Sequence, residues 1–233
     1  MDQSQSSQSS LSVEIKTDKL GFYQGFNPVV AVVPKLLIIA LVIWVGLSPS
    51  EAGQVLLEGQ NWSTQVFGGW YIYVTAFYTI VCLALGLWPR TARIKLGNVD
   101  DEPEFSFFTW LSMMFGAGIG IGMLTYSTAE PIFHFANNPD TIKGITDGLD
   151  ENNVRNAYKW AMLHYGLTPW GCYGIVGMSM AYFSYHRNLP MTIRSPLSPL
   201  MVGRTSRIAG NVVDTAAILA TVIGVGVTIG YGV

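Results

Sequence analysis

From residue 29 onward the chain runs in long apolar stretches separated by short polar connections. Five such stretches cover 29–47, 69–88, 107–135, 158–185 and 212–233, and each comes close to or exceeds the roughly 20 residues a helix needs to cross a bilayer. Within lipid every backbone amide must be satisfied inside its own segment, so continuous apolar runs of this length predict helices. A membrane barrel would instead show short strands of alternating polarity. About five transmembrane helices are therefore expected. The first twenty residues, rich in Ser and Gln with no apolar run, predict a disordered tail. They are too polar for a secretory signal, and no small-residue cleavage site follows the first apolar run.

Composition sharpens this picture. Half of the 233 residues are hydrophobic and 12% are charged, against roughly 25% charged in a soluble domain; the mean hydropathy is +0.35. A net charge of −2 gives no reason to expect a nucleic-acid partner. The placement of the charges says more. Lys16 and Lys19 precede the first span, Arg90, Arg93 and Lys95 follow the second, and Arg187, Arg194, Arg204 and Arg207 follow the fourth. The connection 48–67 holds only Glu51 and Glu58, while in 136–157 Asp140, Asp147, Asp150 and Glu151 outnumber Lys143 and Arg155. Basic loops stay inside, so the N-terminus is expected in the cytoplasm and the protein is expected to be multi-pass. Trp88 and Trp110 at inner span ends and Trp70 at an outer one read as interfacial anchors, and Lys35 as a snorkelling side chain. Cys82 and Cys172 read as buried free thiols. His134, His164 and His186 show no metal-ligand spacing. The chain stops at Val233 within an apolar run and is expected to be incomplete.

Three groups of residues are candidates for chemistry. In the third span, glycines stand at 116, 118, 120 and 122. Small residues four apart allow close helix packing, but alternate glycines fall on opposite faces and cost roughly 1 kcal/mol each in a helix. Packing and a helix unwound at mid-membrane, with free amides and carbonyls for a substrate or ion, stand level. In the fourth span, Tyr165, Trp170 and Tyr173 lie within about two to three turns, and Pro169 is expected to bend the path. Aromatic faces attract cations, but aromatics at a span end also form interfacial belts, and spacing alone favours the belt. In the fifth span, Thr221 and Thr228 share a face and offer hydroxyls to a hard cation such as sodium, although membrane threonines more often bond back to their own helix. Asp214 reads as a helix cap after Asn211.

The stretch KLGNVDDEPEFSFFTWLSMMFGAGIGIGMLTYSTAEP, followed by LHYGLTPWGCYGIVG and VVDTAAILATVIG, resembles the betaine/choline/carnitine transporters in content and order, and the similarity covers essentially all of the chain after the tail. The resemblance implies an all-α integral membrane protein with part of a leucine-transporter-like inverted-repeat fold, its second repeat absent from this chain. It divides the chain into a polar cytoplasmic tail (1–28), two peripheral transmembrane helices with their loops (29–106) and the start of the first repeat (107–233). It implies that Gly118, Ile119, Gly120, Ile121 and Gly122 form an unwound segment beside the substrate, and that Tyr165, Trp170 and Tyr173 contribute to an aromatic box. The family commonly has Trp where Tyr165 stands. An ion site would draw on Gly116, Ile119, Thr221 and Thr228. Where sodium-coupled relatives carry a second hydroxyl four residues after the first, this chain has Val225, which puts one sodium site in doubt.

The function these readings support is ion-coupled secondary transport, driven by sodium or protons, of a betaine-like quaternary ammonium or sulphonium zwitterion across a bacterial cytoplasmic membrane. A homo-oligomer, a trimer by resemblance, is expected, with no cofactor. The alternative within the class is proton-coupled choline transport. The absence of an acidic side chain from the glycine run favours the zwitterion, whose carboxylate can meet amides at a helix break. A membrane-embedded enzyme or a non-transporting binding subunit is the other class. No paired carboxylates, Ser/His pair or metal cluster stands within the spans to support catalysis, and Glu130, next to Pro131, reads as helix-ending or gating.

Overall fold

A computed structural model describes residues 13, 15–97, 100–118, 120–201 and 206–231. They are helical almost throughout. The helices are α1 (Pro28–Leu47), α2 (Pro49–Leu87), α3 (Phe107–Gly118), α4 (Ile121–Ala136), α5 (Pro139–Ile142), α6 (Val154–Tyr165), α7 (Leu167–Ala181), α8 (Arg194–Leu197) and α9 (Ser206–Gly230). A π-helical turn, Tyr182–His186, extends α7. Among the described residues, three helices are long and apolar enough to cross a membrane: α1, α2 and α9.

The other two expected spans are interrupted. The third is divided between α3 and α4, and the fourth between α6 and α7, which part at Gly166. The bend expected at Pro169 falls three residues earlier, because Pro169 sits in the first turn of α7, where its missing N–H costs nothing. A Cβ at Gly166 would lie 2.3 Å from the carbonyl oxygen of Met162, so only glycine fits this junction. The second span is longer than its apolar run. Residues 49–67 of the connection are helical and continuous with it, since Pro49 suits a first-turn position and Gln54, Leu56, Leu57, Glu58 and Gln60 are strong helix formers.

The chain forms two compact units. The first comprises Met1–Ile72, Ile94–Asn98 and Val176–Ile223. Here Asn27 caps α1, its Oδ1 accepting from the amides of Val29 (3.0 Å) and Val30 (3.3 Å). Residues 15–27, expected as part of the tail, form a turn in which Gly25 N donates to Asp18 O and Asp18 N to Phe26 O. Lys35 reaches back along α1, placing Nζ 4.8 Å from the Tyr23 ring centroid. The segment entering α8 is fastened to α9 by a buried pair: Arg194 donates from its backbone N and its Nε to the two carboxylate oxygens of Asp214. Arg194 Nη2 also donates to Asn211 Oδ1, which accepts from Asn27 Nδ2 as well. Asp214 is therefore an ion-pair partner in the third turn of α9 and not the cap expected of it; the helix begins eight residues earlier.

The second unit comprises Tyr73–Arg93, Val99–Ile175 and Gly224–Val233. The later part of α2 packs on α7 through small residues. A Cβ on Gly171 would sit 2.8 Å from both the N and the Cα of Thr79, and Cys82 Sγ donates to Gly171 O at 3.3 Å. Both cysteines are free thiols and partly exposed. Helices α4 and α6 pack antiparallel. At one end Asn138 Nδ2 donates to Asn153 Oδ1 (2.9 Å), and Asn153 Nδ2 to Phe135 O (2.7 Å).

The interior of both units is small or polar. The buried side chains include Ala52, Ala157 and Ala161 together with Glu130, Asn138, Asn153, Arg194, Ser195 and Asp214, while Leu36, Ile43, Phe77 and Ile229 are more than half exposed. In water this would be an aggregation hazard. In lipid it is the expected arrangement: no hydrophobic force draws the large apolar side chains inward, and packing relies on small residues and hydrogen bonds.

Candidate functional site

The candidate site lies in the second unit, where α3 gives way to α4. Helix α3 ends at Gly118 and α4 starts at Ile121. Gly120 is extended, with φ −83° and ψ 167°, and carries no side-chain cap. The first bond of α4 runs from Leu124 N to Gly120 O at 3.2 Å, so the amides at its first positions have no acceptor within the helix. Ile119 lies outside the described residues, and for Gly118, Ile121 and Gly122 only the backbone is described. A Cβ at Gly116 or Gly120 would meet nothing within 4 Å. Among the described residues, nothing packs closely against either position.

Facing rings stand one to two turns into α4. Tyr126 stacks on Tyr165 of α6, with centroids 6.4 Å apart and planes at 27°, and meets Tyr231 of α9 edge-on at 5.4 Å. The three expected aromatics divide between two groups. Tyr165 belongs with Tyr126, Tyr231 and His164, while Trp170 and Tyr173, beyond the Gly166 junction, pair with each other at 6.1 Å. Trp170 and Tyr173 are exposed, and Tyr165 is half-buried. The hydroxyls of Thr221 and Thr228 each donate to their own helix, to Ala217 O (2.8 Å) and Gly224 O (3.0 Å). Their oxygens keep lone pairs but are not drawn to a common point by any bond described.

One turn beyond Tyr126 lies a polar cluster that sequence reasoning missed. Glu130, only 7% exposed, accepts from His164 Nδ1 at 2.6 Å and from His134 Nε2 at 3.3 Å. Glu130 does not end its helix, because α4 continues through Pro131 to Ala136. The four-residue spacing of Glu130 and His134 was visible in the sequence, but the approach of His164 from α6 was not. No group of three His, Cys, Asp or Glu among the described residues is placed to hold a metal ion. Farther out, Asp140 accepts from Lys159 Nζ and from Trp160 Nε1, the latter at 2.9 Å. The Lys159 ammonium, helped by the indole N–H, holds the Asp140 carboxyl below its ordinary value of 3.8.

Comparison with known proteins places this chain in a family. The model of the betaine/carnitine/choline family transporters matches residues 29–233. The osmo-dependent choline transporter BetT2 of Acinetobacter baylyi is 35% identical over 207 residues, 89% of this chain and 29% of that protein. The high-affinity choline transport protein of Escherichia coli is 38% identical over 175 residues, 74% of this chain and 25% of its own length. The glycine betaine transporter OpuD of Bacillus subtilis is 36% identical over 193 residues, 83% of this chain and 37% of its own. The chain thus spans between a quarter and two fifths of the length of these relatives. With apolar helices of membrane-crossing length and a family match over nearly all of its sequence, this chain is a membrane protein that belongs to the betaine/carnitine/choline transporter family.

Proposed function

We propose that this chain is the N-terminal part of an ion-coupled secondary transporter that carries a betaine-like quaternary ammonium or sulphonium zwitterion across a bacterial cytoplasmic membrane. The observation that carries the reading is the break between Gly118 and Ile121 beside the Tyr126–Tyr165 stack. Free amides at the start of α4 suit a carboxylate, and ring faces suit an ammonium group that cannot hydrogen-bond. One helix end thus offers complementary chemistry to both halves of a zwitterion. Trp170 and Tyr173 would add ring faces as the substrate moves along α7.

In this reading α1 and α2 are peripheral, residues 107–233 open the first of two inverted repeats, and the N-terminus is cytoplasmic. The two interrupted spans then count as crossings, making five. Sodium, if it is the coupling ion, would be held by backbone oxygens near Gly116 and Ile119 and by the Thr221 and Thr228 hydroxyls. The choline reading gains support from Glu130, a buried carboxylate one turn from Tyr126, and from the names of two relatives.

The test is uptake of labelled glycine betaine, carnitine and choline by cells expressing the full-length protein, with and without sodium. Sodium-dependent betaine uptake is expected. Uptake of choline alone, unaffected by sodium but abolished by collapsing the proton gradient, would overturn the zwitterion reading in favour of the choline one.

A further inference from the structure

We propose that Glu130, His164 and His134 form a proton-binding site whose occupancy fixes the ring of Tyr165, linking protonation to substrate affinity. The proposal rests on the reading of Tyr165 as part of the substrate site.

A carboxylate withdrawn from water persists only where donors satisfy it. Glu130 is buried, and its two donors are both imidazoles, at 2.6 and 3.3 Å. Imidazole is the side chain that ordinarily exchanges a proton between pH 5 and 8. The two rings are not equivalent. His134 Nδ1 is shielded from solvent and has no partner, so a second proton on that ring would find no acceptor. The His164 side chain is 68% exposed, so the described residues leave open the ring nitrogen that Glu130 does not occupy. A hydronium ion gives its proton to that nitrogen, its O–H bond breaking as the N–H bond forms and water leaving, and the imidazolium then donates its Nδ1–H to the carboxylate.

The consequence reaches the aromatic wall through a single residue. The His164 ring lies 4.7 Å from the Tyr165 ring, which in turn stacks on Tyr126. Protonation makes the donor a cation, so a hydrogen bond to a carboxylate becomes a hydrogen-bonded ion pair and holds His164 and its neighbour more firmly. The other titratable groups on the packed elements are Tyr126 on α4, Arg155, Tyr158, Lys159 and Tyr165 on α6, and Tyr231 at the end of α9. Lys159 is engaged by Asp140, and His164 is the exposed imidazole in contact with the carboxylate.

The experiment measures binding of labelled glycine betaine to the full-length transporter in lipid nanodiscs between pH 8 and pH 6. This probe has no net charge, so its own attraction to the cluster changes little as the cluster gains a proton. Wild type should bind about fivefold more tightly at pH 6, the low end of the coupling usual between two linked sites. E130Q and H164Q should each lose that pH dependence, while D140N should keep it. H164Q alters an exposed side chain and decides the matter if E130Q fails to fold. A wild-type slope in H164Q, or a wild type whose affinity is flat or weakens toward pH 6, overturns the proposal. Wild type that binds no glycine betaine at any pH refutes the substrate reading on which the proposal stands.

Discussion

Replacing Gly171 with alanine tests whether the α2–α7 contact holds the second unit together. The added methyl would lie 2.5 Å from Thr79 Oγ1 and 2.8 Å from both Thr79 N and Cα. Carbon contacts are comfortable at about 3.5–4.0 Å, so the helices would have to separate by roughly 1 Å. Two of the obstructing atoms are backbone and cannot rotate away. Overpacking of this kind costs about 1–3 kcal/mol, and the shift also stretches the Cys82–Gly171 hydrogen bond. At roughly 2–4 °C per kcal/mol for a chain of this size, the melting temperature in detergent should fall by about 3–10 °C. Gly177 on the same helix has nothing within 4 Å of its missing Cβ, so Gly177→Ala should be neutral or slightly stabilising. Because backbone atoms obstruct, Thr79→Ala should not rescue Gly171→Ala. If Gly171→Ala melts with wild type, or Thr79→Ala restores it, the contact is not the backbone approach argued for.

Arg194→Ala strands the Asp214 carboxylate in a buried site and should cost about 3–5 kcal/mol, whereas R194M/D214L should recover most of the loss; thermal unfolding of both compares them, and an Arg194→Ala protein as stable as wild type would refute the pair's role. Asp140 has its carboxyl held below the ordinary 3.8, so its contribution to stability is complete above that value and is lost as pH falls through the lower folded one. Asp140→Asn should therefore melt below wild type at neutral pH, and the two curves should converge under strongly acid conditions; parallel curves down to that range would contradict this. Trp170→Ala in the full-length protein should weaken substrate binding by about 1–3 kcal/mol, or roughly tenfold to a hundredfold, with Tyr165→Trp tolerated and Trp88→Ala unchanged. Wild-type affinity in a folded Trp170→Ala protein would reduce that ring to a membrane anchor.

The fold was legible where the physics is one-dimensional. Hydropathy locates α1 to within one residue and α9 to within six, because crossing a bilayer imposes a length and a composition that a sequence displays directly. It did not locate the start of α2, since a polar helix outside the hydrocarbon has no hydropathic signature distinguishing it from a loop. The alternating glycines leave packing and unwinding level in the sequence; the structure ends α3 at Gly118 and starts α4 at Ile121. The aromatic group was half visible. Tyr165 was named, but its partners Tyr126 and Tyr231 are 39 and 66 residues away in the chain, and no helical periodicity connects them. Arg194 and Asp214 met the same obstacle. Each had a reasonable local reading, as loop charge and as cap, and only the fold showed that they answer each other.

The length of α2 constrains how this protein can sit in a bilayer. Its 39 residues make a rod of about 58 Å at 1.5 Å per residue. Even at a tilt of 40°, the steep end of what membrane helices adopt, the rod would still rise about 44 Å, against roughly 30 Å of hydrocarbon. A quarter or more of it must therefore stand in the head-group layer or in water. The end carrying Glu51, Gln54, Glu58, Gln60 and Asn61 is the one equipped to do so. What hydropathy reads as slack between two crossings is then helix, and that polar end satisfies its own backbone hydrogen bonds where it leaves the hydrocarbon.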